Sequence, residues 1–310
     1  MPSAGAAQPD GPGRPLGAFV LGGNVLGWTV PRDETPGLID AFLSGGGVAV
    51  DVADNYTEWV ESSTTGAAER AVGDWIAGSG RRADLHLSSK VGFSAVRPGL
   101  SRDNILAAFE ESLERLRTDH LEVYYAHKDD PETDLLETLG TFHELKEQGL
   151  IGALGYSHIS PDRFREAQAL VREHGLTPIT YLQHGYSIVN REAFERDFAG
   201  FEGVRFLAYH SLESGYLSGK YFENPGLVTD HTQKIRDRLD DPRSAGFQRN
   251  LHRVADRHGV PAAAIALAWF GAQEADIVPI ASARDERQLA QLFFARGVRL
   301  SAEDLELLAW

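Results

Sequence analysis

Residues 85–90, LHLSSK, then 101–119, SRDNILAAFEESLERLRTD, then 121–127, LEVYYAH, decide the fold. The first and third segments are short, rich in β-formers or apolar residues, and end on an ionisable group, Lys90 and His127. Between them, Ile105, Leu106, Phe109, Leu113 and Leu116 make one helical stripe, while Glu110, Glu111, Glu114 and Arg115 fall elsewhere. A strand, a one-sided helix and a second such strand form a βαβ unit, because parallel neighbours need a crossover.

The unit repeats in both directions. Strand-like segments fall at 18–21, 48–52, 85–89, 121–126, 151–155, 179–182, 204–208 and 276–279. From the second to the seventh, their starts lie roughly 25 to 37 residues apart, as successive βα units require. Helical patterns occupy 36–43 and 132–148, the latter stopped by Gly149. Asp130-Pro131 and Ser160-Pro161 read as N-caps with proline at the first helical position. Between 211 and 275 the rhythm breaks: a polar, Gly-rich stretch to about 243, read as a loop over the mouth, precedes helices at 247–258 and 261–273. The expected architecture is α/β, a (β/α)8 TIM barrel with a long loop after strand 7 and a short C-terminal helix begun by the capping box Ser301-x-x-Asp304. An open doubly wound sheet is the competitor, but no strand is followed by G-x-G-x-x-G or a P-loop. Residues 1–15 read as a flexible leader and 16–310 as one barrel domain.

Composition narrows the function classes. A formal net charge of −15 repels phosphate backbones and anionic lipid, so neither a nucleic acid nor a membrane partner is expected. An anionic cofactor is still accommodated where backbone amides and a few placed cations set the local field. With no cysteine, disulfides, thiolate catalysis and Cys-ligated metal centres are excluded, and no metal site is expected. The leader lacks the apolar core of a signal peptide, and no later apolar run reaches membrane-spanning length, so a cytoplasmic protein is expected. Nothing in the sequence signals an oligomeric state.

The chemistry gathers where strands end, on the face of such a barrel that carries active sites. Asp51 ends one strand and Tyr56 follows on the turn; Lys90 and His127 end the next two. Singly, Asp51 reads as a turn-former, Lys90 as a rim charge and His127 as a packing residue. Consecutive strand ends are neighbours, however, so the four converge. A phenol, with an ordinary pKa of about 10, is a weak donor that an adjacent ammonium makes more acidic. Lys90 is expected to do this to Tyr56, Asp51 to hold Lys90 charged, and His127 to orient a substrate oxygen. Protonating an oxygen while another group delivers hydride is carbonyl reduction. A glycosidase carboxylate pair is the lesser reading, since Asp51 and Asp54 are only a short turn apart.

Asp51-x-x-x-x-Tyr56, Lys90 in Leu87-Ser88-Ser89-Lys90-Val91-Gly92 and His127 in Tyr124-Tyr125-Ala126-His127 resemble, in order, the Asp, Tyr, Lys, His tetrad of the aldo-keto reductases. The resemblance covers the chain after its leader. It implies a nicotinamide cofactor, with Ser157, His158 and Gln183 on the carboxamide, Tyr209 stacked on the ring, and Gly23, Asn24, Ser211 and Leu212 nearby. Gly215, Ser218 and Lys220 would belong to the pyrophosphate loop, and Ser282, Arg284 and Gln288 to an adenosine 2'-phosphate site, favouring NADPH with NADH as the alternative. Two positions depart from the family. His158 stands where Asn is usual, so either the carboxamide grip is altered or His158 points elsewhere, and Gln291-Leu292 replace a Glu-Asn pair. Trp28, Trp59 and the loop around 216–221 are the candidate substrate walls, and the substrate implied is a small carbonyl compound, a sugar among the candidates. The same fold also serves cofactor-binding regulatory subunits with little turnover, which a missing Tyr or Lys would favour.

Overall fold

The computed structural model describes residues 15–60, 64–198, 200–224, 226–228 and 232–310, so the expected leader, but for its last residue, lies outside the described residues. Eight parallel strands close into a barrel in chain order: β1 Val20–Gly22, β2 Ala49–Asp51, β3 His86–Val91, β4 Leu121–Ala126, β5 Ile151–Ser157, β6 Ile179–Gly185, β7 Arg205–Tyr209 and β8 Ile277–Ala281. Leu21 pairs with Val50 on one side and Ala281 on the other, which closes the ring. Helices α1 Thr35–Ser44, α2 Ala67–Ser79, α3 Arg102–Leu116, α4 Leu135–Glu147, α5 Pro161–His174 and α6 Glu192–Asp197 each follow one of the first six strands. Between β7 and β8 stand α7 Lys220–Glu223, α8 Arg236–Asp240, α9 Ser244–His258 and α10 Ala262–Ala268; α11 Glu286–Phe293 and α12 Ala302–Leu307 come last. This is the (β/α)8 barrel read from the sequence.

Strand periodicity sorts the side chains into two cores. One, between strands and helices, includes Leu87, Phe109, Tyr124, Phe142 and Leu154. Burying each of the leucines and phenylalanines among them contributes about 1.5–3 kcal/mol. The other fills the barrel: Val20, Ala49, Val123, Tyr125, Ala153, Tyr181, Leu207 and Ile280. Tyr125 finds room there because its neighbour across the strand pair is Gly155, where an added Cβ would fall 2.3 Å from the tyrosine ring. Two residues past Ala49, Tyr125, Tyr181 and Leu207 come Asp51, His127, Gln183 and Tyr209, so the inward parity that builds the core also aims these groups into the mouth.

Several local expectations change. Helix α4 starts at Leu135, and its N-cap is Asp134, whose side chain accepts from the Leu136 amide. Asp130 instead closes the preceding turn, accepting from the Glu132 amide and the Thr133 hydroxyl. Ser160 caps α5 as read, with Pro161 first in the helix, and the Ser301–Asp304 capping box is formed. The stretch read as a plain loop holds α7 and α8, and the helix read at 261–273 ends at Ala268, continuing as the 3-10 turn Trp269–Ala272. Among the described residues no helix is long and apolar enough to cross a membrane.

Candidate active site

Asp51, at the end of β2, is buried beneath the mouth and accepts hydrogen bonds on both oxygens. Lys90 Nζ donates to its Oδ2 at 2.6 Å, to the Val52 carbonyl at 2.8 Å and to the Tyr56 hydroxyl at 2.7 Å. An ammonium has three hydrogens, and all three are used. Tyr56 itself faces Asp51 Oδ2 at 3.4 Å. On the other oxygen, Ser88 Oγ and Gln183 Nε2 each donate at 2.7 Å. His127 lies edge-on to the Tyr56 ring, centroids 5.9 Å apart. The four residues of the expected tetrad are thus brought together.

Electrostatics corrects one expectation. Tyr56 was read as made more acidic by Lys90, yet burial first, and then the charge of Asp51 and its hydrogen bond, push the phenol well above its ordinary value of 10.0. Burial penalises the phenolate, and the nearby Asp51 carboxylate repels it. Tyr56 therefore keeps its proton at neutral pH. Burial also draws Lys90 below its ordinary 10.5, opposed by Asp51. His127 is held well below 6.5 by burial and by Lys90, so it is neutral at pH 7, with one ring nitrogen able to donate.

The mouth is walled by aromatic rings. Trp59 stands edge-on to Tyr56 at 6.2 Å and to Trp28 at 6.1 Å. Phe93, in the loop after β3 and missed in the sequence, packs on His127 at 5.3 Å and on His158 at 5.6 Å. A Phe three residues beyond Lys90, just past a strand end on the mouth, is the signal the sequence offers. Tyr216, by contrast, turns away: its hydroxyl meets Ser244 Oγ at 2.8 Å and its carbonyl accepts from Gln248, so it packs against α9 rather than lining the mouth.

The expected cofactor residues divide into those free to receive a ligand and those already engaged. Ser157 is buried at the end of β5, in register with Gln183, whose amide is engaged by Asp51. His158, with φ +42°, stacks on the Tyr209 ring at 5.3 Å, so it points across the mouth toward the ring expected to carry a nicotinamide. Gly215 adopts φ +90°, which suits glycine, and an added Cβ would fall 2.6 Å from Lys220 Nζ: the loop leaves a shallow cradle beside a cation. Ser218 donates to the Gly215 carbonyl and Ser211 to that of Ile280, tying the loop to the barrel, with Leu212 packed against the core. Gly23 and Asn24 form the turn after β1, where Ser282 Oγ bonds the Gly22 carbonyl and Asn24. Gln288 receives the Arg284 amide. Ser282 Oγ and Gln288 Oε1 are thus engaged within the protein, while the exposed Gln288 amide nitrogen and the exposed Arg284 guanidinium have no hydrogen bond or ion pair among the described residues. A strand-end aromatic, a glycine cradle beside Lys220 and the free Arg284 fit a phosphate-bearing nicotinamide cofactor. Among the described residues no group of three or more His, Asp or Glu is placed to hold a metal ion.

Residues 16–309 match the model of the Aldo/keto reductase family. The norsolorinic acid reductase stcV of Emericella nidulans is 28% identical over 309 residues, covering 94% of this chain and 75% of that protein. Protein tas of Escherichia coli is 30% identical over 265 residues, 76% of each. Among solved structures, the thermostable aldo-keto reductase Tm1743, in complex with the inhibitor epalrestat, superposes with a TM-score of 0.73 at 28% identity, covering 96% of this chain and 95% of the other.

Proposed function

The chain belongs to the aldo/keto reductase family, and on that premise we propose that it reduces a small aldehyde or ketone with NADPH, Tyr56 supplying the proton. The observation that carries this reading is the single line of contacts from Asp51 through Lys90 to the Tyr56 hydroxyl, at 2.6 and 2.7 Å, opening on an aromatic-walled mouth. A reduced nicotinamide, when bound, supplies hydride. The chain's own residues do the rest. Tyr56 holds its proton until a carbonyl oxygen gains negative charge, and then gives it up. Lys90, one hydrogen bond away, stabilises the tyrosinate left behind, and Asp51 keeps the ammonium in place. Neutral His127 donates one hydrogen bond to the same oxygen and so fixes which way the carbonyl points. Trp28, Trp59 and Phe93, at the rim of the mouth, pack against the body of the substrate. The uncommitted guanidinium of Arg284 favours the 2'-phosphate of NADPH.

Fluorescence titration with NADPH and NADH, followed by a panel of carbonyl compounds, tests the proposal. NADPH is expected to bind about tenfold tighter than NADH or better, Arg284→Ala to erase most of that difference, and turnover to appear with reactive aldehydes. Tight binding without turnover across the panel would instead support a cofactor-binding regulatory role. Equal losses for both cofactors in Arg284→Ala would remove the 2'-phosphate assignment.

A further inference from the structure

Asp51 is gripped unevenly. Its Oδ2 faces the groups of the proposed chemistry, Lys90 and Tyr56. Its Oδ1 faces neither, yet receives two uncharged donors at 2.7 Å each, Ser88 Oγ and Gln183 Nε2. Ser88 sits on β3 two residues before Lys90 and shares its inward parity. Gln183 comes from β6, four strands further round the barrel than β2, and its side chain reaches the interior to the same atom.

A buried serine or glutamine needs some partner, and satisfying that need is the ordinary explanation. Two details go beyond it. Both side chains choose the same oxygen of the same residue, arriving on different strands, in a volume where Asp51, Ser88 and Gln183 are all buried. The adjacent serine shows the ordinary case: Ser89 points to the helix layer, where its hydroxyl donates to Glu69 at 2.6 Å. A carboxylate torsion is broad and roughly two-fold, so without donors on Oδ1 the Asp51 group is free to turn and offer either oxygen, or both, to Lys90. An ammonium drawn onto two oxygens has no hydrogen left at the right angle for Tyr56, because its third is held by the Val52 carbonyl.

We propose that Ser88 and Gln183 are positioning residues for proton transfer: by holding Oδ1 they leave Oδ2 alone for Lys90, and so fix the Lys90 hydrogen that faces the Tyr56 hydroxyl. The inference rests on the reading of Tyr56 as proton donor. It also gives Gln183 a duty separate from any contact with a nicotinamide, since one of its amide hydrogens is engaged by the carboxylate. Ser88 makes the cleaner test, because none of the expected cofactor contacts falls on it.

The experiment compares wild type, Ser88→Ala, Ser88→Thr, Ser89→Ala and Tyr56→Phe by steady-state kinetics with NADPH and 4-nitrobenzaldehyde, with NADPH affinity read separately by fluorescence. Ser88→Ala should lose kcat by about tenfold while the KM for the aldehyde and the NADPH Kd stay within about twofold, as expected for one lost hydrogen bond to a charged acceptor. Ser88→Thr keeps the hydroxyl and should recover most of the rate. Ser89→Ala should unfold at lower temperature yet keep its kcat. The inference is overturned if Ser88→Ala turns over like wild type, or if its kcat, KM and melting temperature all worsen together and threonine rescues none of them. A wild type that works and a Tyr56→Phe variant that works equally well would overturn the reading of Tyr56 itself, and this inference with it.

Discussion

Asp51 and Asp54 are three residues apart and almost equally buried, but they meet opposite surroundings. Asp51 faces into the barrel, where an ammonium, a hydroxyl and an amide donate to it at 2.6–2.7 Å. Asp54 lies near Glu69 of α2 and Arg115 of α3, and neither of its oxygens has a geometrically good hydrogen bond among the described residues. Burial, and then the charge of Glu69, push its carboxyl well above the ordinary 3.8; Arg115 and the Asn55 amide offset only part. Arg115 is spent on Glu69, at 2.6 Å. Converging donors favour the charged form of a buried carboxylate, and burial without them penalises it. The inward cluster opens on the mouth and has a use for its charge; the outward one is closed over by α2 and α3 and holds those helices to β3.

That contrast can be broken by mutation. The largest effect is expected from Glu69→Ala, which removes the shorter of the two ion pairs of the mostly buried Arg115 and leaves it Glu111 at 3.4 Å: about 1.5–3 kcal/mol of stability, measured by chemical denaturation, with kcat per folded molecule unchanged. A loss of less than about 1 kcal/mol would mean that the outward pair does not hold the helices. Asp54→Asn should act more gently and in the other direction. Because folding raises the pKa of Asp54, the folded chain binds a proton that the unfolded chain releases, so stability falls as pH rises from about 3.8 toward the folded value. Asparagine has no proton to lose. The variant should therefore match or exceed wild type at neutral pH, its relative advantage shrinking toward pH 4; a deficit that grows with pH would show that Asp54 is ionised and paired.

Much of this was legible in the sequence, for a physical reason. Strand ends converge on one mouth of the barrel, so Asp51, Lys90 and His127 are identifiable from position, whereas Gln183 is marked only by the family resemblance. Ser88 shares the inward parity of Lys90 and was overlooked because a serine carries no charge to mark it. Asp130 and Asp134 compete as caps within one short turn, and only tertiary packing decides between them. The short helices α7 and α8 have too few residues for a periodicity to register, and segments of that length are held by their contacts rather than their propensity. The acidity of Tyr56 was misjudged because burial depends on the whole fold, whereas its lysine neighbour could be read from two strand ends.

The most direct measurement is NADPH oxidation with 4-nitrobenzaldehyde by wild type and Tyr56→Phe, each first shown by fluorescence to bind NADPH. The account predicts clear turnover by wild type and a loss of about 100-fold or more in the phenylalanine variant, with cofactor affinity within about twofold. A variant that binds NADPH and turns over at the wild-type rate would contradict it.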